Sequence, residues 1–161
     1  MEQGNICIYA GDGNGSTLAA LGRALQTAGR GKQVVLIRFM KGRELEEGEF
    51  LRRLEPEIRL FCFEKSEDDF DALTPQQQTE EIQNIRNGLN YARKVLHTGE
   101  CDMLVLDGII GLVDNGAITG EEIASLLHEK GETVTIVMTG GSLPYAVRVL
   151  ADEVVTVAMR A

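Results

Sequence analysis

Residues 9–17, Tyr-Ala-Gly-Asp-Gly-Asn-Gly-Ser-Thr, are the part of the chain whose residue types best suit a chemical function. The three glycines, Gly11, Gly13 and Gly15, permit a tight turn in which several backbone N–H groups can point at one ligand. An apolar run precedes this segment and a helical pattern follows it, so the helix dipole adds partial positive charge there. The pattern predicts a phosphate-binding loop, and a tight turn without a ligand is the alternative.

Two further side chains could add a metal ion to this site. Thr17 lies where P-loop proteins place the hydroxyl that contacts magnesium. Asp107 follows an apolar run, as the magnesium-binding carboxylate of such proteins does, although it could instead cap the next turn. The lysine of the standard motif is absent: Ser16 stands before the hydroxyl, Asn14 adds no charge, and Asp12 would repel a phosphate. Each charge-assisted hydrogen bond lost in this way removes about 1.5–3 kcal/mol.

Another glycine cluster, Thr139-Gly140-Gly141-Ser142, follows a later apolar run. Its hydroxyls and backbone N–H groups could form a second contact to an anion. The same residues could instead serve only as a hinge between a strand and the next helix. The sequence leaves both interpretations open.

The cysteines and histidines show no catalytic pattern. Cys7 and Cys62 lie in apolar runs, where a free thiol behaves as a small core residue. The spacings typical of metal ligands are absent. His97 and His128 lie near the ends of helical patterns, where a cation suits the helix dipole. We therefore predict structural roles for all four residues.

Length and charge limit the classes of function. The 161 residues predict one domain, residues 1–161, and the 16 basic against 25 acidic residues give a net charge of -9. Binding to nucleic acid or to a membrane surface is disfavoured, because both depend on Lys and Arg. No apolar run approaches the roughly 20 residues that span a bilayer. The first five residues lack the pattern of a signal peptide, so we expect a cytoplasmic location.

Short apolar runs alternate with helical patterns along the chain. Strands are predicted at 6–9, 34–38, 58–63, 103–106, 134–138 and 153–157, and helices at 17–28, 44–54, 74–96, 119–127 and 144–150. This alternation predicts an α/β fold, a three-layer P-loop-like arrangement with a mostly parallel, about six-stranded sheet covered by helices on both faces. Ligands bind at the carboxyl ends of such strands, where the glycine clusters and Asp107 fall.

Individual residues support the helices. Leu18, Leu21 and Leu25 recur at spacings of three and four, which indicates one apolar stripe. Thr74 with Gln77 forms a capping-box pattern, and Thr119 with Glu122 repeats it. The acidic segment 64–71 is interpreted as a solvated loop, with a mobile lid over a site as the alternative.

Taken in chain order, these motifs resemble those of the ATP:corrinoid adenosyltransferases of the cob(I)alamin type, over nearly all of the chain. The family's Gly-Asn/Asp-Gly-Lys-Gly-Lys-Thr loop is similar to residues 11–17. The other matches are Phe39-Met40-Lys41-Gly42 to Phe-x-Lys-Gly, Gly48-Glu49 to Gly-Glu, Leu106-Asp107-Gly108 to Leu-Asp-Glu, Thr139-Gly140-Gly141 to Thr-Gly-Arg, and residues 151–156 to Ala-Asp-x-Val-Thr.

The resemblance implies a homodimeric P-loop protein that transfers the 5′-deoxyadenosyl group of ATP to the Co(I) of a reduced corrinoid such as cobalamin. Because Co(I) is the nucleophile, no side chain is expected to act as one. The residues implied in nucleotide binding are Gly11, Asp12, Gly13, Asn14, Gly15, Ser16, Thr17, Lys41, Thr139 and Gly140. Thr17 and Asp107 would hold Mg²⁺.

Four charged groups of the family pattern are missing. Asn14 and Ser16 replace two lysines, Gly108 replaces an acid, and Gly141 replaces an arginine. Lys41, Arg43 or Arg38 could compensate in part. We therefore expect a preserved fold with an impaired triphosphate site.

Two other functions remain open at this point. One is a non-catalytic homologue that binds a corrinoid or a nucleotide. The other is an NADP-binding, Rossmann-like protein in which Arg38 contacts the 2′-phosphate. With no tryptophan in the chain, an aromatic wall against a corrinoid would have to come from Phe61, Phe63 or Phe70, and core packing is the favoured role of the first two.

Overall fold

The computed structural model describes residues 3–11, 14–39, 48–66 and 68–158. The strands are β1 Ile6–Ala10, β2 Val34–Arg38, β3 Ile58–Cys62, β4 Met103–Asp107, β5 Thr135–Gly140 and β6 Glu153–Thr156. The helices are α1 Gly15–Gly29, α2 Gly48–Arg52, α3 Pro75–Thr98, α4 Gly111–Asp114, α5 Gly120–Leu127 and α6 Tyr145–Arg148. None of the helices within these ranges is both long and apolar enough to cross a bilayer.

All six predicted strands are present: β2 has its predicted bounds, and the ends of the other five differ by one or two residues. The start of the second predicted helix, at 44–47, lies outside the described residues. The sequence patterns missed the short helix α4 and a 3-10 turn at Phe70–Ala72. Both are single turns, which are too short to show a helical period.

The strands form one sheet in the order β3-β2-β4-β5-β1-β6, and every neighbouring pair is parallel. This confirms the predicted α/β class. In the Rossmann order 3-2-1-4-5-6, β1 lies beside β2. Here β4 and β5 separate those two strands. The alternative of a Rossmann-like NADP-binding protein is therefore contradicted, because the strands do not follow the Rossmann order.

Helices cover both faces of the sheet, which confirms the three-layer arrangement. Ile6 and Ile8 of β1 pack towards α3 and α5, while Cys7 between them packs towards α1. All residues of β2 and β4 are buried, as expected for central strands of a parallel sheet. One core lies under α1 and α2, and the larger core lies under α3, α4, α5 and α6.

Helix α1 is present as predicted but buries a different face. Ala20, Leu21 and Ala24 pack on the sheet, whereas Leu18 is 55% and Leu25 48% exposed. The two small alanines allow the helix to lie close to the strands. The leucine spacing predicted the helix correctly, but it did not indicate which side of the helix the sheet would cover.

The cap of α3 confirms its prediction. The Gln77 N–H donates to Thr74 Oγ1 at 3.2 Å, and the Thr74 N–H donates to Gln77 Oε1 at 2.9 Å. At α5 only half of the pattern forms. The Glu122 N–H donates to Thr119 Oγ1 at 3.1 Å, but the Glu122 carboxylate instead accepts hydrogen bonds from Arg86.

The acidic segment after β3 is held against α3. Glu81, which is buried, accepts hydrogen bonds from the backbone N–H groups of Lys65 at 3.1 Å and Ser66 at 3.3 Å. The Gln78 side chain donates to the carbonyl of Phe70 at 2.9 Å. These contacts at both ends favour an anchored loop over a mobile lid.

Candidate functional site

A row of polar side chains crosses the sheet at its carboxyl edge. Tyr9 of β1 pairs in register with Thr139 of β5, and Arg38 of β2 pairs with Asp107 of β4. Side chains alternate along a strand, and each of these residues lies two positions after one that packs towards α1. The row therefore faces the start of α1, where the sequence predicts the phosphate loop.

The carboxylate of Asp107 is the centre of a hydrogen-bond network in this row. Its Oδ1 accepts hydrogen bonds from Thr17 Oγ1 at 2.8 Å and from Thr139 Oγ1 at 2.7 Å. Its Oδ2 accepts from Arg38 Nε at 3.4 Å. The Gly108 N–H donates to Thr139 Oγ1 at 2.7 Å. One carboxylate thus joins the first turn of α1 to the ends of β2, β4 and β5.

The network is almost fully buried. Relative exposure is 1% for Asp107 and 4% for Arg38, and Thr17 and Thr139 are equally inaccessible. An isolated carboxylate at this depth would be strongly unfavourable, so the guanidinium of Arg38 is its charge partner. The Nη2 atom of Arg38 is also buried, and it has no hydrogen-bond partner among the described residues. Such an unsatisfied donor is rare in native proteins and marks a place where a ligand could accept a hydrogen bond.

Two of the predicted glycines, one in the phosphate loop and one in the turn after β5, are required by close packing whether or not a ligand binds. A Cβ atom on Gly11 would lie 2.2 Å from the carbonyl oxygen of Val157. On Gly140 it would lie 2.4 Å from Cβ of Ile110. The two glycines also bond to each other, because the Gly11 N–H donates to the Gly140 carbonyl at 2.9 Å. Neither glycine is therefore diagnostic of a ligand.

The N-cap residue of α1 does not cap the helix with its side chain. Asn14 is the exposed N-cap residue, and its carbonyl accepts from the Leu18 N–H at 3.0 Å. The Asn14 side chain makes no cap hydrogen bond, so it does not compete for the N–H groups of the first turn. Those N–H groups and the helix dipole favour a negatively charged ligand.

The predicted nucleotide-binding residues are only partly brought together. Gly15, Ser16 and Thr17 form the first turn of α1 at the carboxyl edge, and Ser16 is buried. Asp12, Gly13 and Lys41 lie outside the described residues, as does Arg43. The hydroxyl hydrogen of Thr139 is directed at Asp107, so this residue supports the network instead of facing a ligand.

The residues predicted to hold Mg²⁺ do not fit that ion. Mg²⁺ requires near-octahedral oxygen ligands. Asp107 Oδ1 already accepts two hydroxyl hydrogens, and the positive guanidinium of Arg38 lies against Oδ2. A divalent cation at this carboxylate would be repelled by Arg38. Among the described residues, no group of three or more His, Cys, Asp or Glu side chains could hold a metal ion instead.

Gly108 stands where the family pattern has a second acid. Gly108 has a φ of 84°, a conformation that L-residues adopt rarely. A glutamate at this position would be strained. The local structure after β4 therefore differs from one that presents two consecutive acidic side chains.

Two cysteines were predicted to be buried, and the structure confirms this for one of them. Cys7 is buried as predicted, whereas the prediction for Cys62 is wrong: this thiol is exposed because it ends β3, an edge strand. Burial raises the pKa of the Cys7 thiol, and it raises the pKa of Cys101 to about 12. Cys62 is exposed to solvent, but partial desolvation by its neighbours still raises the pKa of its thiol. These thiols are therefore poor nucleophiles and poor metal ligands at neutral pH.

The aromatic residues after β2 and β3 pack on α3. The ring centroids of Phe61 and Phe63 lie 4.6 Å and 5.7 Å from that of Tyr91. Phe39 is buried, and its ring would clash with a side chain at Gly88 of α3. The favoured core role of Phe61 and Phe63 is confirmed.

The sequence patterns missed the pairing of Arg38 with Asp107. Each of these residues is the charged last position of an otherwise apolar five-residue strand. Two opposite charges at the same end of two buried strands could have indicated the pair. Their neighbourhood in the sheet, however, depends on the strand order, which the patterns did not give.

Comparison with known proteins adds an independent observation. The family model described as ATP:corrinoid adenosyltransferase BtuR/CobO/CobP matches residues 2–160. The corrinoid adenosyltransferase of Escherichia coli (strain K12) is 29% identical over 153 residues, which cover 95% of this chain and 76% of that protein. The corrinoid adenosyltransferase CobA of Salmonella typhimurium is 28% identical over the same shares. An uncharacterized protein of Nostoc sp. is 26% identical over 92% of this chain and 42% of its own length. The chain belongs to the ATP:corrinoid adenosyltransferase family.

Proposed function

We propose that this protein binds ATP at the start of α1 and transfers its 5′-deoxyadenosyl group to the Co(I) of a reduced corrinoid, with low catalytic efficiency. In this reaction Co(I) supplies the electron pair for a Co–C5′ bond, the C5′–O bond breaks, and triphosphate leaves. The protein has to hold the triphosphate and the corrinoid in position. No protein nucleophile is required.

The observation that carries the proposal is the position of α1. In a chain that matches the adenosyltransferase family over residues 2–160, α1 starts at Gly15, shortly after β1, and its first turn is bonded to Asp107. This helix N-terminus, where the Asn14 side chain makes no cap hydrogen bond, lies at the edge of the sheet where α/β proteins bind ligands. Gly11, Gly13, Gly15, Ser16, Thr17 and Gly140 are the proposed surroundings of the triphosphate.

The low efficiency follows from missing charges. Asn14 and Ser16 stand where the family pattern has lysines, and Gly141 stands where it has arginine. Loss of the two lysines alone removes two charge-assisted hydrogen bonds, at about 1.5–3 kcal/mol each, which weakens triphosphate binding on the order of 10²- to 10⁴-fold. Lys41 is a proposed partial replacement. A homodimer and a cytoplasmic location stay predictions.

The test is formation of adenosylcobalamin from cob(I)alamin and ATP, followed by absorbance, beside the Escherichia coli relative. We expect slow turnover, with a KM for ATP that is at least about 100-fold higher. Turnover equal to the relative would contradict the proposed loss of efficiency. No turnover at saturating ATP would contradict the proposed reaction.

A restoring variant sharpens this test. Asn14 is exposed, so Asn14→Lys adds a cation without disturbing the core. Ser16 is buried, and Ser16→Lys therefore needs a check of folding. Because a lysine strengthens phosphate binding, we expect either variant to lower the KM for ATP. Asn14→Gln is the matched control without a charge and should leave the KM unchanged.

A second candidate is a non-catalytic protein that binds a corrinoid or a nucleotide. Two observations favour it: Gly108 stands where the family pattern has an acid, in a conformation that suits glycine, and Asp107 is paired with Arg38. Neither position then offers a free carboxylate to a metal ion. Calorimetry distinguishes the two functions. Tight corrinoid binding without adenosyl transfer would identify the protein as a non-catalytic corrinoid-binding protein.

A further inference from the structure

We propose that Arg38 takes the place of a divalent cation, so that this site binds a triphosphate without metal. Asp107 is then the internal counter-ion of Arg38 and not a metal ligand. The inference rests on the proposed binding of a triphosphate at the start of α1, but it does not depend on catalytic turnover.

Two nitrogen atoms of the Arg38 guanidinium have different surroundings. Its Nε contacts Asp107 Oδ2 at 3.4 Å, which fixes the guanidinium in the buried row. Its Nη2 is buried and has no hydrogen-bond partner among the described residues. Arg38 lies on the α1 side of the sheet, and Asp107 is also bonded to Thr17 in the first turn of α1. The unsatisfied donor therefore belongs to the same polar cluster as the helix N-terminus.

The chemistry of guanidinium suits this role. Arginine stays protonated at all relevant pH values, and its planar N–H groups match phosphate oxygens. Asp107 neutralises part of this charge through Nε and makes no hydrogen bond to Nη2. A helix N-terminus adds partial positive charge and N–H donors for the same anion. Together these groups supply the neutralisation that a metal ion would otherwise provide.

For one substitution, the proposal and a metal site predict opposite changes in binding affinity. Asp107→Asn keeps an acceptor for the hydroxyls of Thr17 and Thr139 but removes the negative charge. If Asp107 is the counter-ion of Arg38, the variant binds an anion more tightly. If Asp107 serves a magnesium ion, the variant binds the magnesium complex less tightly.

The experiment is calorimetric titration of the full chain with inorganic tripolyphosphate, which represents the triphosphate group. In buffer with EDTA we expect saturable binding by the unmodified protein, and we expect excess Mg²⁺ to leave it unchanged or weaken it. Asp107→Asn should bind about tenfold more tightly in EDTA, as expected for a guanidinium released from an ion pair.

Arg38→Gln should bind at least about tenfold more weakly in EDTA, because it loses a charge-assisted hydrogen bond. Arg86→Gln is the matched control: it removes the same charge from α3, on the other face of the sheet, and should not change binding. If Arg38→Gln or Asp107→Asn fails to fold, the titrations of the unmodified protein in EDTA and in excess Mg²⁺ still decide.

Three results would overturn the proposal: no binding in EDTA, binding that Mg²⁺ tightens tenfold or more, or weaker binding by Asp107→Asn. These results are separate from the test of adenosyl transfer. Metal-free binding without adenosylcobalamin formation would refute only the proposed reaction. Turnover with Mg²⁺ but without metal-free binding would refute only the role of Arg38.

Discussion

The ion pairs Arg38–Asp107 and Arg86–Glu122 share the same chemistry in different surroundings. Arg86 and Glu122 approach to 2.8 Å, but their side chains are 46% and 33% exposed. Arg38 and Asp107 are 3.4 Å apart, and their side chains are 3% and 1% exposed. The shorter pair is therefore the one that water screens. Burial, more than distance, decides how much each residue of a pair depends on its partner.

The two pairs also serve different parts of the molecule. Arg86–Glu122 joins α3 to α5 on the outside of the larger core. Arg38–Asp107 lies within the carboxyl edge of the sheet, beside the first turn of α1. Only the second pair combines a buried charge with a donor, Arg38 Nη2, that has no hydrogen-bond partner among the described residues. Substitutions in the two regions should therefore differ strongly in their effects.

The largest effect is expected for Arg38→Met. It leaves the carboxylate of Asp107 buried without a charge partner, which typically lowers the free energy of unfolding by about 3–5 kcal/mol. Urea denaturation at neutral pH measures this change. The double variant Arg38→Met/Asp107→Leu is the control and should recover much of the loss, because it removes both charges. A loss below about 1 kcal/mol in the single variant would show that the buried pair is not an obligate unit.

A smaller effect is expected for Thr139→Val. This change keeps the side-chain shape but leaves the Gly108 N–H without its acceptor and Asp107 without one donor. We expect a loss of about 1–3 kcal/mol, measured by the same denaturation. Thr133→Val is the control, because Thr133 is exposed and should change stability by no more than about 0.5 kcal/mol. Equal effects of the two changes would contradict a buried network.

The exposed pair should respond weakly and should depend on salt. Arg86→Gln is expected to lower the free energy of unfolding by about 0.2–1 kcal/mol at low ionic strength. In about 1 M NaCl the difference should vanish, since the screening length falls to roughly 3 Å. Thermal or urea denaturation at both salt concentrations measures it. If Arg86→Gln lowered the free energy of unfolding by more than Thr139→Val does, the exposed pair would matter more than the buried network, which would contradict this comparison.

The smallest effect is the pH dependence of the exposed pair. Hydrogen bonding to Arg86 holds the pKa of Glu122 below its ordinary value of 4.5. A carboxyl group whose folded pKa is lowered stabilises the protein above its unfolded pKa, and this contribution is lost as the pH falls through the folded pKa. The coupling between Arg86→Gln and Glu122→Gln in a double-mutant cycle should therefore be present at about pH 7 and absent at about pH 2. Coupling that persists in acid would mean that the contact is not ionic.

Much of the fold could be predicted from local sequence patterns. Val34–Arg38 was predicted at its observed boundaries, because a run of four apolar residues between Gln33 and Arg38 is typical of a buried parallel strand. The capping residues Thr74 and Gln77 fixed the start of α3 for the same local reason. The strand order could not be predicted in this way, since it depends on contacts between residues far apart in the chain.

The sequence identified several residues of the candidate site, but it did not show which of them contact one another. Asp107 and Thr17 were selected as partners of a metal ion, and the structure joins them directly by a hydrogen bond. What the sequence could not show is that β2 lies beside β4 and brings Arg38 to the same carboxylate. The face of α1 was also missed, because Leu18 and Leu25 fit a helical stripe equally well when they are exposed.

The role of Arg38 can be observed directly by NMR of its guanidinium. The Nε–H of a buried, hydrogen-bonded arginine exchanges slowly with water, and loss of its signal in Arg38→Gln assigns it. Addition of tripolyphosphate in the presence of EDTA should shift this signal, because the anion binds to the same guanidinium. A signal that does not respond to tripolyphosphate in EDTA, and that changes only when Mg²⁺ is added, would contradict a site in which Arg38 replaces the metal.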